Sequence, residues 1–275
     1  MARPQLSWVL SIAAVALVAR ALSPVAAVDA QNATAGRCQA TPGPVPASLG
    51  LSPFYTQHVD ANGLPIVGSA QVEGRAFGVA RNIVLELTAN PAIRAALQSA
   101  HVRVGIMAET EVTTDMPGHA DLNRVFPQTN WNTRARGLGA TLARPLSSVG
   151  EENLLGRPTD RYRGENILVH EFAHTVWELG VQRLPDGEAR QRELLLAFGA
   201  AIRQGRWENT YAAPNAREHF AAGVQSYFDA NLSASPADGI HNDIDTRDEL
   251  RTYDPALYAI IERVFPPSAW RPTCP

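Results

Sequence analysis

Apolar and polar positions along the first half of the chain predict two helices followed by a strand. Residues 73–87 carry apolar side chains at helical spacing, and Asn90 with Pro91 marks the cap and first turn of a second helix. Residues 101–108 then alternate between apolar and polar side chains, a period of two that predicts a half-buried strand. Residues 137–142 are a candidate for a further strand.

The second half of the chain predicts helices almost throughout. An apolar stretch over residues 165–177 predicts a helix that ends near Gly180. Start signals predict four more helices, which begin at Asp186, Pro214, Thr246 and Asp254. With its strands in the first half and its helices in the second, the chain is predicted to have an α+β fold, with a small sheet lobe and a helical lobe.

The predicted helix over residues 165–177 is apolar on nearly every side, which is typical of a buried helix, yet it carries three ionisable side chains. His170, Glu171 and His174 form the pattern His-Glu-x-x-His. A step of four residues brings both imidazoles onto one face, and Glu171 lies about 100° further round, in the position of a general base. Burying these groups is costly without compensation, so the pattern predicts a bound metal ion. The alternative is a pair of core histidines hydrogen-bonded to carbonyl groups.

A catalytic zinc ion takes three protein ligands and keeps one position open, so a further ligand is required outside this helix. The metzincin pattern places glycine and histidine three and six residues after the second histidine. This chain has Trp177 and Gly180 there, which excludes that family. A glutamate donor remains as the natural choice. Glu193, 19 residues after His174, has the spacing of aminopeptidase-type gluzincins, and spacing is its only support.

A second candidate, Glu218, lies in a segment that resembles a known family. The Glu-Asn pair at the start of the histidine helix, the His-Glu-x-x-His pattern and residues 211–225 are together similar to the catalytic domain of anthrax lethal factor and its secreted relatives. The resemblance covers residues 160–228. It implies a zincin-like fold, Glu218 as the third zinc ligand, and Tyr211, seven residues earlier, as a residue that assists catalysis.

Two positions depart from that family. Where the family has a second glutamate four residues after the ligand, this chain has Ala222, and we interpret the missing carboxylate as lost support for a ligand histidine. His219 replaces an aromatic residue and competes as an imidazole ligand. Because positions 218 and 219 differ by about 100° around a helix, only one of them faces the metal, and we expect His219 on the helix surface.

Composition and charge narrow the class of protein. With 275 residues, of which 45% are hydrophobic and 19% charged, the chain has the composition of one globular domain. We place that domain at residues 54–275, after an extended lead-in over residues 31–53. The formal charge of −3 and the lack of a basic stripe argue against a nucleic-acid partner.

Residues 1–30 have the features of a signal peptide, with Arg3 ahead of an apolar run over residues 8–18. We therefore expect a secreted, extracellular protein with no membrane association after cleavage. In an oxidising compartment the two cysteines of the chain, Cys38 and Cys274, are expected to form a disulfide that ties its ends together.

These observations together predict a secreted zinc-dependent endopeptidase that acts on peptide or protein substrates. In this interpretation His170, His174 and Glu218 hold Zn²⁺. Glu171 is the general base, and Tyr211 stabilises the oxyanion or assists the leaving group.

Residues 137–142 precede the metal helix and are nominated, by position, as the edge strand that pairs with the substrate backbone. Two alternatives stay open. The first is a catalytically silent, zinc-containing binding or toxin-like module on the same fold. The second is a structural protein without a metal.

Overall fold

Five short strands form one mixed sheet in the computed structural model, which describes residues 38–274. They are β1 (Gln57–Asp60), β2 (Pro65–Gly68), β3 (Arg103–Met107), β4 (Gly137–Leu138) and β5 (Leu146–Gly150). The spatial order is β1-β2-β3-β5-β4. β1 and β2 form an antiparallel hairpin, β2, β3 and β5 run parallel, and β4 pairs antiparallel with β5. β4 therefore forms one edge of the sheet.

Ten α-helices accompany this sheet within the described residues. They are α1 (Gly74–Leu87), α2 (Pro91–Ser99), α3 (Leu122–Val125), α4 (Trp131–Arg134), α5 (Glu151–Leu154), α6 (Ile167–Thr175), α7 (Gly187–Arg203), α8 (Ala216–Tyr227), α9 (Arg247–Tyr253) and α10 (Pro255–Val264). A π-helical turn, Val176–Gly180, continues α6. The predicted α+β fold is confirmed, since every strand precedes α5 and the region after it is helical.

β3 is buried along almost its whole length, so the prediction of a half-buried strand is wrong. The reason is that β3 lies inside the sheet and that both of its faces are covered. Val104 and Ile106 face the main core, and Met107 belongs to a smaller cluster with Tyr55 and Met116 on the other side. Alternation in the sequence predicted the strand correctly but not what covers its second face.

α6 packs against β5, α1 and α8, which places the histidine helix between the sheet and the helical region. Its apolar residues Leu168, Val169 and Phe172 are fully buried. The predicted buried helix is therefore confirmed.

Helix starts follow the capping residues closely. The Asn90 side chain accepts hydrogen bonds from the backbone N–H groups at the start of α2, and the Asp254 side chain accepts one from Leu257 N at 3.1 Å. Thr246 and Glu249 form the predicted capping box. The helix predicted to open at Pro214 instead begins at Ala216.

The two cysteines form the predicted disulfide, Cys38–Cys274, with their Cα atoms 5.8 Å apart. It closes a loop of 236 residues; a loop of that length gives a stabilisation of about 5 kcal/mol in the chain-entropy description. The predicted signal peptide, residues 1–30, lies outside the described residues. Within residues 38–274 no helix combines the length and apolar character needed to cross a membrane.

Candidate metal centre and its cleft

α6 brings His170 and His174 onto one face, as the four-residue spacing predicts. The helix begins sharply because the Asn166 side chain accepts a hydrogen bond from Val169 N at 3.0 Å. The two imidazole rings lie with their centroids 4.8 Å apart, and their Nε2 atoms are 3.2 Å apart. His170 is 8% exposed and His174 6%, so both are held in a low-polarity environment.

α8 supplies the third member of the cluster. Asn215 caps this helix by accepting hydrogen bonds from Arg217 N and Glu218 N, both at 3.0 Å, which fixes the first turn. Glu218 Oε2 lies 3.1 Å from His170 Nε2 and 3.2 Å from His174 Nε2. The three residues that the sequence nominated as metal ligands are therefore brought together from two helices, although His174 and Glu218 are 44 residues apart in the chain.

These three atoms suit a tetrahedral zinc ion. They form a triangle with sides of 3.1 to 3.2 Å, and tetrahedral zinc with bonds of about 2.0–2.1 Å has ligand-to-ligand distances of about 3.3 Å. Three acceptors directed at one point repel one another unless a proton or a cation lies between them. Two imidazole nitrogens and a carboxylate oxygen are a ligand set that zinc accepts.

The same crowding perturbs the titration of the metal-free cluster. Burial disfavours a charged imidazole, but the Glu218 carboxylate outweighs it and, with Glu171, raises the pKa of His170 to about 9. Burial also opposes ionisation of Glu218, and the two histidines overcome it and hold the pKa of that carboxyl far below its usual range. A metal ion that binds here displaces a proton, so its affinity rises with pH.

Glu171 points toward β4, where two glycines make room for it. A Cβ atom at Gly137 would lie 3.1 Å from Glu171 Cγ, and one at Gly139 would lie 2.9 Å from His174 Cβ. Side chains at these positions would push the strand away from α6. The edge strand therefore lies directly beside the predicted base. The observed strand, Gly137–Leu138, is shorter than the predicted residues 137–142.

Tyr211 lies beside His170, with 6.3 Å between the ring centroids, and 40% of it is exposed. Its backbone N–H donates to Ile240 O at 2.9 Å, which anchors an otherwise irregular segment. Burial and the Glu218 carboxylate raise the pKa of Tyr211, while Arg134 opposes them. Near neutral pH the hydroxyl therefore keeps its proton and is able to donate a hydrogen bond.

A cleft of about 700 Å³ opens above these groups. Its walls include β4, the aromatic side chains of Phe126 and Trp131, and the guanidinium groups of Arg134 and Arg144. A cleft of this size accommodates several residues of an extended peptide, and it leads directly to the His170, His174 and Glu218 cluster.

His119, a loop histidine in the sequence, is 2% exposed and lies in the wall of this cleft. Its Nε2 is 3.1 Å from Ser148 Oγ. Burial lowers the pKa of His119 to about 4, so the ring is neutral. It is a structural part of the wall and lies outside the ligand cluster.

The other candidates from the sequence lie elsewhere. Glu193 is exposed and pairs with Arg263 at 2.5 Å, outside the histidine cluster. His219 points away from that cluster, as expected, but it is fully buried instead of lying on the helix surface. Its Nε2 is 2.9 Å from Asp254 Oδ2, a partner that sequence spacing did not indicate.

The sequence did not indicate Gln225, whose Oε1 lies 2.8 Å from His170 Nδ1. His170 therefore has a side-chain partner on its Nδ1 side, even though position 222 carries no carboxylate. One signal pointed to it. Gln225 follows Glu218 by seven residues, which puts both on the same face of a helix.

Comparisons with known proteins add one structural similarity. No protein-family model and no curated protein matches the chain. A solved structure, the Pro-Pro endopeptidase PPEP-2 from Paenibacillus alvei, is similar over 73% of this chain and 97% of that chain, with 19% sequence identity and a TM-score of 0.46. A similarity at this level assigns neither family nor substrate, so the argument for function depends on the site itself.

Proposed function

We propose that this protein is a secreted zinc-dependent endopeptidase. The observation that carries the proposal is the convergence of His170, His174 and Glu218 on one point at the end of a cleft, with Glu171 and Tyr211 beside them. A zinc ion held by the three ligand side chains supplies a Lewis acid that acidifies water and polarises a carbonyl group. The lethal-factor-like family and the zincin-like fold are part of this proposal.

The chain's own residues account for the proton transfers. Glu171 accepts a proton from the attacking water and passes it to the leaving amine. The Tyr211 hydroxyl donates a hydrogen bond to the oxyanion that forms as the carbonyl is attacked. β4 is an edge strand in the cleft and presents backbone groups to an extended peptide, which holds the scissile bond over the cluster.

The decisive test removes the base and keeps the ligands. We expect Glu171→Gln to bind one zinc per chain and to lose hydrolysis of casein or of a peptide library by at least about 10²-fold, the scale of one positioned acid–base group. The control is Glu193→Gln, which changes an exposed glutamate outside the cluster. Turnover retained in Glu171→Gln removes Glu171 from this role. Zinc binding by a wild-type protein that cuts no peptide favours the binding-module alternative.

The ligand assignment has its own test. Metal analysis is expected to find zinc in the wild type and in Glu193→Ala, and none in Glu218→Ala. Loss of zinc only from Glu193→Ala overturns the assignment of Glu218. Secretion rests on residues 1–30 alone, and we expect the mature protein in the culture medium to begin at Gln31.

A further inference from the structure

Gln225 lies two turns after Glu218 on α8 and is 2% exposed. Its amide lies between a predicted metal ligand and a carboxylate. Oε1 is 2.8 Å from His170 Nδ1, and Nε2 is 3.0 Å from Glu165 Oε2. The backbone oxygen of Asn166 is a further acceptor, 3.4 Å from the same Nε2. Every polar end of this buried amide therefore has a partner.

The chemistry of these partners decides which end of the amide faces which way. A carboxylate and a carbonyl oxygen only accept hydrogen bonds, so both require the NH₂ end of Gln225. The amide oxygen is left facing His170. Because that oxygen also only accepts, His170 Nδ1 must carry the hydrogen. In a neutral imidazole the lone pair then lies on Nε2, the atom that faces Glu218 and His174.

The other oxygen of Glu165 lies within ion-pair distance of a second buried histidine. His241, 8% exposed, has its Nε2 3.5 Å from Glu165 Oε1. The loop that carries His241 is fixed because Asp238 Oδ1 accepts from His241 N at 2.7 Å. The two oxygens of Glu165 thus face different partners. One oxygen accepts from Gln225 Nε2, and the other lies near the His241 imidazole.

We propose that Gln225, held by Glu165, is a positioning residue that fixes the Nδ1–H tautomer of His170 and directs its Nε2 toward the metal. The part of the inference that concerns metal affinity rests on the proposed function, whereas the hydrogen bonding is a property of the chain itself. The direct partner of the histidine is a neutral amide, with the carboxylate one group further away. Such outer partners orient a ligand histidine and typically change metal affinity 10- to 100-fold.

The test exchanges the amide of Gln225 and the carboxylate of Glu165. Gln225→Met removes the acceptor and keeps the side chain's length. Gln225→Glu keeps an acceptor for His170 but places it against the Glu165 carboxylate. The double variant Gln225→Glu with Glu165→Gln restores a donor opposite an acceptor, with the amide and the carboxylate exchanged. Zinc dissociation constants are measured by competition with a chromophoric chelator, and the stability of each metal-free protein by urea unfolding.

We expect both single variants to bind zinc about 10- to 100-fold more weakly and the exchanged pair to recover most of that loss. The matched control is Gln191→Met, which removes another amide acceptor, the partner of Trp177 Nε1 at 2.7 Å, and leaves zinc affinity unchanged. Unchanged affinity in Gln225→Met, or no recovery in the exchanged pair, overturns the proposal. The proposal is also overturned if Gln191→Met and Gln225→Met both bind zinc more weakly in proportion to their loss of metal-free stability.

A second measurement needs neither zinc nor turnover. In proton NMR spectra of the metal-free protein, the His170 Nδ1–H should be protected from exchange in the wild type and in the exchanged pair, and unprotected in Gln225→Met. An unprotected proton in the wild type rejects the positioning role even if the protein is a peptidase. A protected proton in a protein that cuts no peptide rejects the peptidase and leaves the positioning role standing.

Discussion

Two neighbouring residues on α8, Glu218 and His219, each take part in a contact between a carboxylate and a histidine. The two contacts lie in different surroundings. Glu218 meets two histidines beside an open cleft, so that three acceptor atoms converge within 3.1 to 3.2 Å of one another. His219 meets one carboxylate, Asp254, in a core where both side chains are 0% exposed. The first group borders an open cleft, whereas the second is closed off from solvent.

The two groups differ in what surrounds the carboxylate. Asp254 accepts from His219, from Trp207 Nε1 at 2.9 Å and from Leu257 N at 3.1 Å, so three donors surround this buried carboxylate. Glu218 Oε2 meets two imidazole nitrogens at 3.1 and 3.2 Å and borders the open cleft. Burial and histidine content alone do not separate the two groups; the number of potential ligand atoms that converge does.

The largest expected effect comes from Asp254→Ala. It leaves a histidine and an indole N–H buried without their acceptor, and breaking a buried pair of this kind costs about 3–5 kcal/mol. Urea unfolding of the metal-free protein measures the loss. We expect Glu218→Ala to cost clearly less in the same experiment, because the cleft lets water solvate the two histidines. Equal losses would mean that the two groups are both structural.

A buried histidine without a carboxylate sharpens the comparison. His119 Nε2 faces the Ser148 hydroxyl, and burial lowers the pKa of His119 to about 4 from about 6.5. Between these values the unfolded chain binds more protons than the folded one, so stability falls as the pH drops from about 6.5 to about 4, by about 3 kcal/mol in total.

Urea unfolding between pH 4 and 7 checks this, with His119→Gln compared to the wild type. The variant removes the titrating group and keeps a hydrogen-bonding side chain, so its stability should fall less with acid. The other carboxylates and histidines titrate in both proteins and cancel in the difference. An identical pH dependence in the two proteins would contradict the low pKa of His119.

Zinc is expected to stabilise the folded protein by mass action. At a free zinc concentration 100 times the dissociation constant, the gain is about 2.7 kcal/mol. Removal of the metal with a chelator should therefore lower the melting temperature of the wild type and of Glu193→Ala, followed by calorimetry. In Glu218→Ala the chelator should have no effect. A chelator-sensitive Glu218→Ala protein would place the metal elsewhere.

The smallest effect is expected at Arg217, an exposed residue in the first turn of α8. Arg217 forms an ion pair with Glu178 at the rim, where the arginine side chain is 57% exposed. Exposed pairs contribute about 0–1 kcal/mol, so Arg217→Gln should change urea stability by less than about 1 kcal/mol and leave the zinc content unchanged. A larger change would show that the rim takes part in holding the first turn of α8.

The local features of this protein could be predicted from its sequence. The stacking of His170 and His174 follows from helical periodicity, which depends on positions four residues apart. The caps at Asn90 and Asp254 follow from side chains that bond within their own first turn. The Cys38–Cys274 disulfide followed from having two cysteines and a predicted oxidising compartment.

Apart from the disulfide, the tertiary structure decided the contacts between distant segments. It placed Glu218 and not Glu193 beside the histidines, paired His219 with Asp254, and set Gln225 against Glu165. None of these contacts has a fixed spacing in the chain, because each depends on how α6, α8 and the later loops pack. The sequence by itself determined two potential ligands and a base on one helix. Packing determined the third acceptor, because only packing brings lone pairs from separate helices to one point.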